Sequence, residues 1–202
     1  MISVNKKKVL PDNRFATISL VNLFTGVFLF ICFLVQPFFT LIFSVIILLF
    51  LNTKSSFHVY VIAILGALYL GLVNLTKIPE SDLIYYLDAF NQAKILSLTE
   101  YFIVHTREPL YSALVYIMSN ISFLNDRHFL IASTFIPYVI FLVSVVRLCL
   151  HLNIRNGSII ALVVLLLFFP QIFNLSAHLI RQFIASSICI YVVVQYLTTG
   201  KV

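Results

Sequence analysis

Seven apolar runs follow one another along this chain, at about Phe15 to Val35, Phe38 to Leu51, Phe57 to Leu75, Leu110 to Phe123, Phe129 to Leu150, Ser158 to Phe173 and Leu179 to Leu197. With a mean hydropathy of +1.07 and only 10% charged residues, they place the chain among polytopic membrane proteins and outside soluble globular usage. A bilayer core needs roughly 20 helical residues, so the second and fourth runs, at about 14, must tilt, re-enter or borrow flanking residues. The expected fold is all-α: a polytopic membrane helix bundle of six or seven spans with an outer amphipathic segment.

Basic residues set the expected topology. Lys6, Lys7, Lys8 and Arg14 precede the first run, with Pro11-Asp12-Asn13 between them. That spacing does not suit a cleaved signal peptide, so residues 1–14 read as a retained cytoplasmic tail and residues 15–202 as the integral membrane domain. Gln36-Pro37 suits a tight turn between antiparallel helices, the alternative being one long kinked helix. Lys54 then returns inside, which puts the segment from about 77 to 108 outside. Continued alternation leaves Arg127 inside and Arg147 and Arg155 outside, against the positive-inside rule. The net charge of +6 is scattered along the chain and gathers on no face, so nucleic acid is set aside as a partner. Cys32, Cys149 and Cys189 lie within apolar runs, and neither a metal site nor a cofactor is expected. Tyr60, Tyr69, Tyr138 and Tyr196, near run ends, read as interfacial anchors.

Ionised carboxylates are too costly to leave facing lipid. Five of the seven acidic residues, Glu80, Asp82, Asp88, Glu100 and Glu108, fall in one window of 29 residues. Within it Pro79-Glu80-Ser81 opens a helix whose Leu83, Leu87 and Phe90 would seat it on the membrane surface. Asp82, Tyr85, Tyr86 and Ala89 share a neighbouring face. There a carboxylate can take the proton of an acceptor hydroxyl or hold a sugar, with an aromatic ring stacked on it; the plainer reading is a solvated helix face. Glu108 precedes Pro109 at the start of the fourth run, where a carboxylate favours the positive helix end. Capping is its default role, and Arg107 beside it can reach an anionic ligand. Further on, Asn174, His178 and Arg181 align at i, i+4 and i+7 of one helix, with Gln182 and Ala185 one turn beyond His178 and Arg181. A guanidinium leading into an apolar span needs a cavity, a partner or a route to the interface, and its planar fork suits a phosphate. His58, His105, His128 and His151 read as isolated and interfacial. No HExxH, glycine-rich phosphate loop or nucleophile elbow is present.

Taken in order, Ser81-Asp82 with Tyr85, Glu108-Pro109-Leu110-Tyr111 opening a span, and His178-Leu179-Ile180-Arg181-Gln182 with Ala185 resemble the EpsG-like family of polysaccharide polymerases, related in role to Wzy-type enzymes. The Arg-Gln-x-x-Ala piece is the most specific. The resemblance covers roughly Lys77 to Val202 and corresponds to the N-terminal portion of such proteins, so further spans are expected beyond Val202. It implies a GT-C-like bundle in the bacterial cytoplasmic membrane that joins polyprenyl-diphosphate-linked oligosaccharides at the outer face, alone or with other polysaccharide-assembly proteins. In that setting Asp82 would activate or hold the acceptor, with Tyr85 and Tyr86 beside it. Arg181 would grip the diphosphate, helped by His178 and Gln182, with Arg107 a second cation and Glu108 near the substrate. A GT-C transferase adding single sugars from a polyprenyl phosphate, and a non-catalytic glycan-lipid carrier, are the alternatives.

Overall fold

A computed structural model describes residues 20–51, 56–76, 82–105, 108–121 and 125–200, without the side chains of residues 48–51, 82 and 175–178. The expected cytoplasmic tail, Lys54, Pro79-Glu80-Ser81 and Arg107 lie outside the described residues. All ten described elements are α-helices. They are α1 (Leu20–Val35), α2 (Pro37–Leu51), α3 (Phe57–Asn74), α4 (Asp82–Ile95), α5 (Leu98–Val104), α6 (Pro109–Ser119), α7 (Asp126–His151), α8 (Asn156–Leu167), α9 (Pro170–His178) and α10 (Ile180–Thr199). Among the described residues α3, α7 and α10 are long and apolar enough to cross a membrane, whereas α1, α2, α6 and α8 are apolar but shorter. Three helices of spanning length and four shorter apolar ones are what the described residues give.

The chain turns at Gln36, so Phe33 of α1 and Leu41 of α2 both pack with Leu65 of α3. The centre of the bundle is α3 against α7, the most extensive helix pair. Small residues allow the close approach: a Cβ on Gly71 would stand 3.1 Å from the Ile131 carbonyl oxygen, and one on Gly66 would meet the Leu167 side chain. Buried Asn74 fixes the register by donating through Nδ2 to Thr134 Oγ1 (2.9 Å) and to the Leu130 carbonyl (3.4 Å). Gly71→Val should force the two backbones apart at a cost of ~1–3 kcal/mol. Gly66→Ala should cost less, because a leucine side chain can turn aside where a carbonyl cannot. Thermal unfolding in detergent checks the order; equal melting points for the two variants would contradict it.

Those contacts correct the expected topology. Asn74 ends α3 and Leu130 and Thr134 begin α7, so these ends lie together. Val59, near the start of α3, shares a core with Val146 and Cys149, near the end of α7. The two helices are antiparallel, and among the described residues between them no helix is long and apolar enough to cross. At 11 residues, about 16 Å of helix, α6 is half the thickness of a bilayer core and belongs with α4 and α5 in a cap over that end. Removing this one span reverses every later side. Arg147 near the end of α7 and Arg155 at the start of α8 come to the end where α3 begins, next in sequence to Lys54, and Arg127 goes to the opposite end with the cap.

Two other expectations change. The run Ser158 to Phe173 is broken at Phe168-Phe169, because Pro170 lacks a donor and disfavours helix before it. And α4 seats its apolar face on the bundle itself: Leu83, Tyr86, Phe90 and Ala93 are buried against Val115, Phe129, Leu130 and Ile180 from α6, α7 and α10. Tyr138 is likewise buried against Phe183, 5.0 Å between ring centroids, and is no interfacial anchor.

Candidate functional site

The five acidic residues of the outer window divide by partner. Glu80 lies outside the described residues, and Asp88 is exposed on α4. Glu100 closes a capping box: its carboxylate accepts from Ser97 N (2.9 Å) and Ser97 Oγ (2.7 Å), which holds its pKa below the usual carboxylate range. Asp82 begins α4, one turn before Tyr85 and Tyr86, with its side chain outside the described residues. Among the described side chains of the window, Glu108 is the one that reaches another helix.

It does so because α10 starts where it does. Leu179 leaves helical geometry (φ −114°, ψ 51°), so α9 ends at His178 and α10 begins at Ile180. The continuous Asn174–His178–Arg181 face expected from i, i+4, i+7 spacing is therefore interrupted. Arg181 becomes the second residue of α10, a cation at the positive end of a helix, where the dipole opposes it. Glu108 supplies the opposite charge, pairing its Oε1 with Arg181 Nη1. Although it occupies the N-cap position of α6, with Pro109 in the first turn as expected, Glu108 makes no side-chain capping bond. Ion pairing, not capping, is what its carboxylate does.

Aromatic rings complete the setting. Arg181 Nε donates to the Tyr86 hydroxyl at 3.1 Å, and the guanidinium carbon lies 5.4 Å from the Tyr86 ring centroid and 5.9 Å from that of Tyr85. Tyr111 packs edge-on against Tyr86 at 5.6 Å, and its buried hydroxyl has no partner among the described residues. Nη2 of Arg181 likewise donates to no described residue. With side-chain exposures of 33% and 41%, Arg181 and Glu108 stay open to an incoming ligand. The cluster can thus offer a fixed, permanently charged fork of donors to a phosphate or carboxylate in a partly desolvated mouth.

Of the residues expected in the site, Arg181, Glu108, Tyr85 and Tyr86 come together. Gln182 turns away: it is exposed and lines a separate cavity with Phe141, Ile172, Ser186 and Ser187. Arg107 and the side chain of His178 lie outside the described residues. His105 is not isolated, for its ring meets Tyr85, Gln92 and Tyr101. Tyr101 and His105 are four apart on one helix turn, a local signal, but the meeting with Tyr85 and Gln92 is tertiary. His128 serves a capping box with Asn125 at the start of α7.

These features define a helical membrane protein with an ion-paired arginine beneath an aromatic cap at one end of the bundle. The EpsG family model matches residues 59–202, well over half of the chain and including every element of the site. The chain belongs to the EpsG family, and so to the membrane proteins of polysaccharide biosynthesis. Comparison with curated proteins and with solved structures finds no match.

Proposed function

We propose that the protein is a polysaccharide polymerase that joins polyprenyl-diphosphate-linked repeat units at the outer face of the cytoplasmic membrane, in O-antigen, capsule or exopolysaccharide assembly. The observation that carries this reading is Arg181: a guanidinium oriented by Glu108 and Tyr86, with donors unengaged by any described residue, at the mouth of an apolar bundle. Transfer from a prenyl diphosphate needs cationic stabilisation of the departing diphosphate and the positioning of two lipids more than it needs covalent chemistry. Arg181 holds the diphosphate. Asp82, at the head of α4, holds the acceptor sugar with Tyr85. An apolar groove between α6, α7 and α10, lined by Leu114, Met118, Ile136, Ile184 and Ile188, runs from beside Arg181 and suits the prenyl chain. The lipid bilayer and lipid-linked glycan are the partners this requires.

The orientation follows from charge. With the Lys54 end inside, Arg147 and Arg155 join it there and the α4–α6 cap faces out, in accord with the positive-inside rule. In a variant without Cys32, Cys149 and Cys189, a cysteine at exposed Thr99 should react with an impermeant thiol reagent in intact cells or spheroplasts. One at exposed Asn153 should react only after lysis. The reverse pattern puts the site on the wrong side.

Purified full-length protein incubated with lipid-linked repeat units tests the reaction. A ladder of longer glycans is the expected product; a single added sugar would identify a transferase, and unchanged lipid a carrier.

A further inference from the structure

The outer cap holds a second polar cluster next to the Arg181–Glu108 pair. His105 follows α5 directly, and its Nε2 lies 3.1 Å from Gln92 Oε1. With the Gln92 amide placed oxygen towards the ring, Nε2 is the donor, and in the neutral imidazole Nδ1 then keeps its lone pair. That lone pair faces the Tyr85 hydroxyl at 3.5 Å. Tyr101 covers the imidazole at 4.5 Å between centroids, and Ser112 Oγ donates to the His105 carbonyl at 3.1 Å, tying its backbone to α6. Tyr85 in turn is 51% exposed and has its ring 5.9 Å from the Arg181 guanidinium carbon. A basic nitrogen is thus connected through one phenol to the mouth where the cation waits.

We propose that Tyr85 and His105 form the proton-accepting relay of the site, on the polymerase reading given above. The acceptor sugar's O–H bond breaks as its oxygen bonds to the anomeric carbon of the donor. The anomeric C–O bond breaks with its electron pair leaving on the diphosphate at Arg181. Tyr85 oxygen receives the acceptor's proton as the Tyr85 hydroxyl passes its own to His105 Nδ1, and the imidazolium then loses it to water. The 3.5 Å spacing is long for an O–H···N bond, and such contacts commonly tighten when substrate binds.

The environment keeps the base available. Burial pushes the His105 pKa below the ordinary histidine value, so the imidazole is neutral at neutral pH. Among the described residues the groups against its ring are Tyr85 and Gln92 from α4 and Tyr101 from α5. Burial raises Tyr101 to about 12, leaving it uncharged, while α6 offers Ser112 to the carbonyl alone. Arg181 is the cation closest to the relay, across the Tyr85 ring. The acidic limb of the rate profile is then the protonation of His105: the rate falls as pH drops through a pKa below about 6.5.

The test is the pH–rate profile of the full-length protein on lipid-linked repeat units, for wild type, His105→Asn and Tyr85→Phe. Asparagine can accept from Tyr85 but cannot carry the proton. His105→Asn should lose ~10²–10⁴-fold in rate with the acidic limb abolished and lipid-linked substrate still bound, and Tyr85→Phe should lose the same limb. Added imidazole should restore rate to His105→Ala in proportion to its unprotonated fraction. The tautomer is read without turnover, by ¹⁵N chemical shifts of His105, which should show Nδ1 unprotonated at neutral pH. A near-normal rate and unchanged limb in His105→Asn, or an Nδ1–H tautomer, overturns the relay while leaving the polymerase reading intact. Wild type that makes no ladder, with Nδ1 unprotonated, overturns the polymerase reading and the relay's role with it.

Discussion

On the polymerase reading, Arg181→Lys should cost the full-length protein roughly ten- to hundredfold in polymerisation, although the charge is kept. Nε of this guanidinium bonds to Tyr86 and Nη1 pairs with Glu108; the proposed third job, holding the diphosphate, falls to the remaining donors. A planar fork does these in fixed directions, whereas an ammonium is a point charge that satisfies one partner at the expense of another. Losing one charge-assisted hydrogen bond to the departing diphosphate is worth ~1.5–3 kcal/mol, which is the stated range of rate. Glycan ladders at matched expression are the readout. Normal chain lengths with lysine at 181 would mean that the guanidinium only settles the end of α10 at the interface.

Glu108→Gln should damage both the site and the protein. Without the carboxylate, Arg181 sits unneutralised at the positive end of α10, and the donors that held it in place turn to water. Removing one member of a buried pair costs several kcal/mol, but both groups here keep a third or more of their surface exposed. The stability loss is accordingly discounted to ~1–2 kcal/mol. Because Glu108 makes no capping bond, α6 itself should persist, and the rate per folded molecule should fall along with the melting temperature. The two substitutions should not add: the Arg181→Lys, Glu108→Gln double variant should be little worse than Arg181→Lys alone, since the second change removes a partner whose geometry is already lost. Independent, multiplying losses in rate would show that Glu108 and Arg181 serve different steps.

How much of this was legible in the residues follows from the range of each interaction. Apolar length and purity determined an all-helical membrane protein, since they depend on composition alone. Pro109 in the first turn of α6 and the helix through Leu83, Leu87 and Phe90 were local patterns and appear as such. The Asp82–Tyr85, Glu108-Pro109 and Arg181-Gln182 pieces were legible as a family resemblance, and the family is EpsG. Tertiary structure decided the rest. The fourth apolar run reads as a shortened span until the packing of its 11-residue helix, α6, into the α4–α5 cap is seen, and that one span sets the side of every residue after it. The break at Leu179 has no proline or glycine to mark it; it converts Arg181 from a residue on a continuous face into a cation at a helix start, which then requires Glu108 from 73 residues away. Histidine at 105 looked isolated because its partners Tyr85 and Gln92 belong to another helix. Periodicity is a property of one helix, and a site built where four helices meet is fixed by the turns between them.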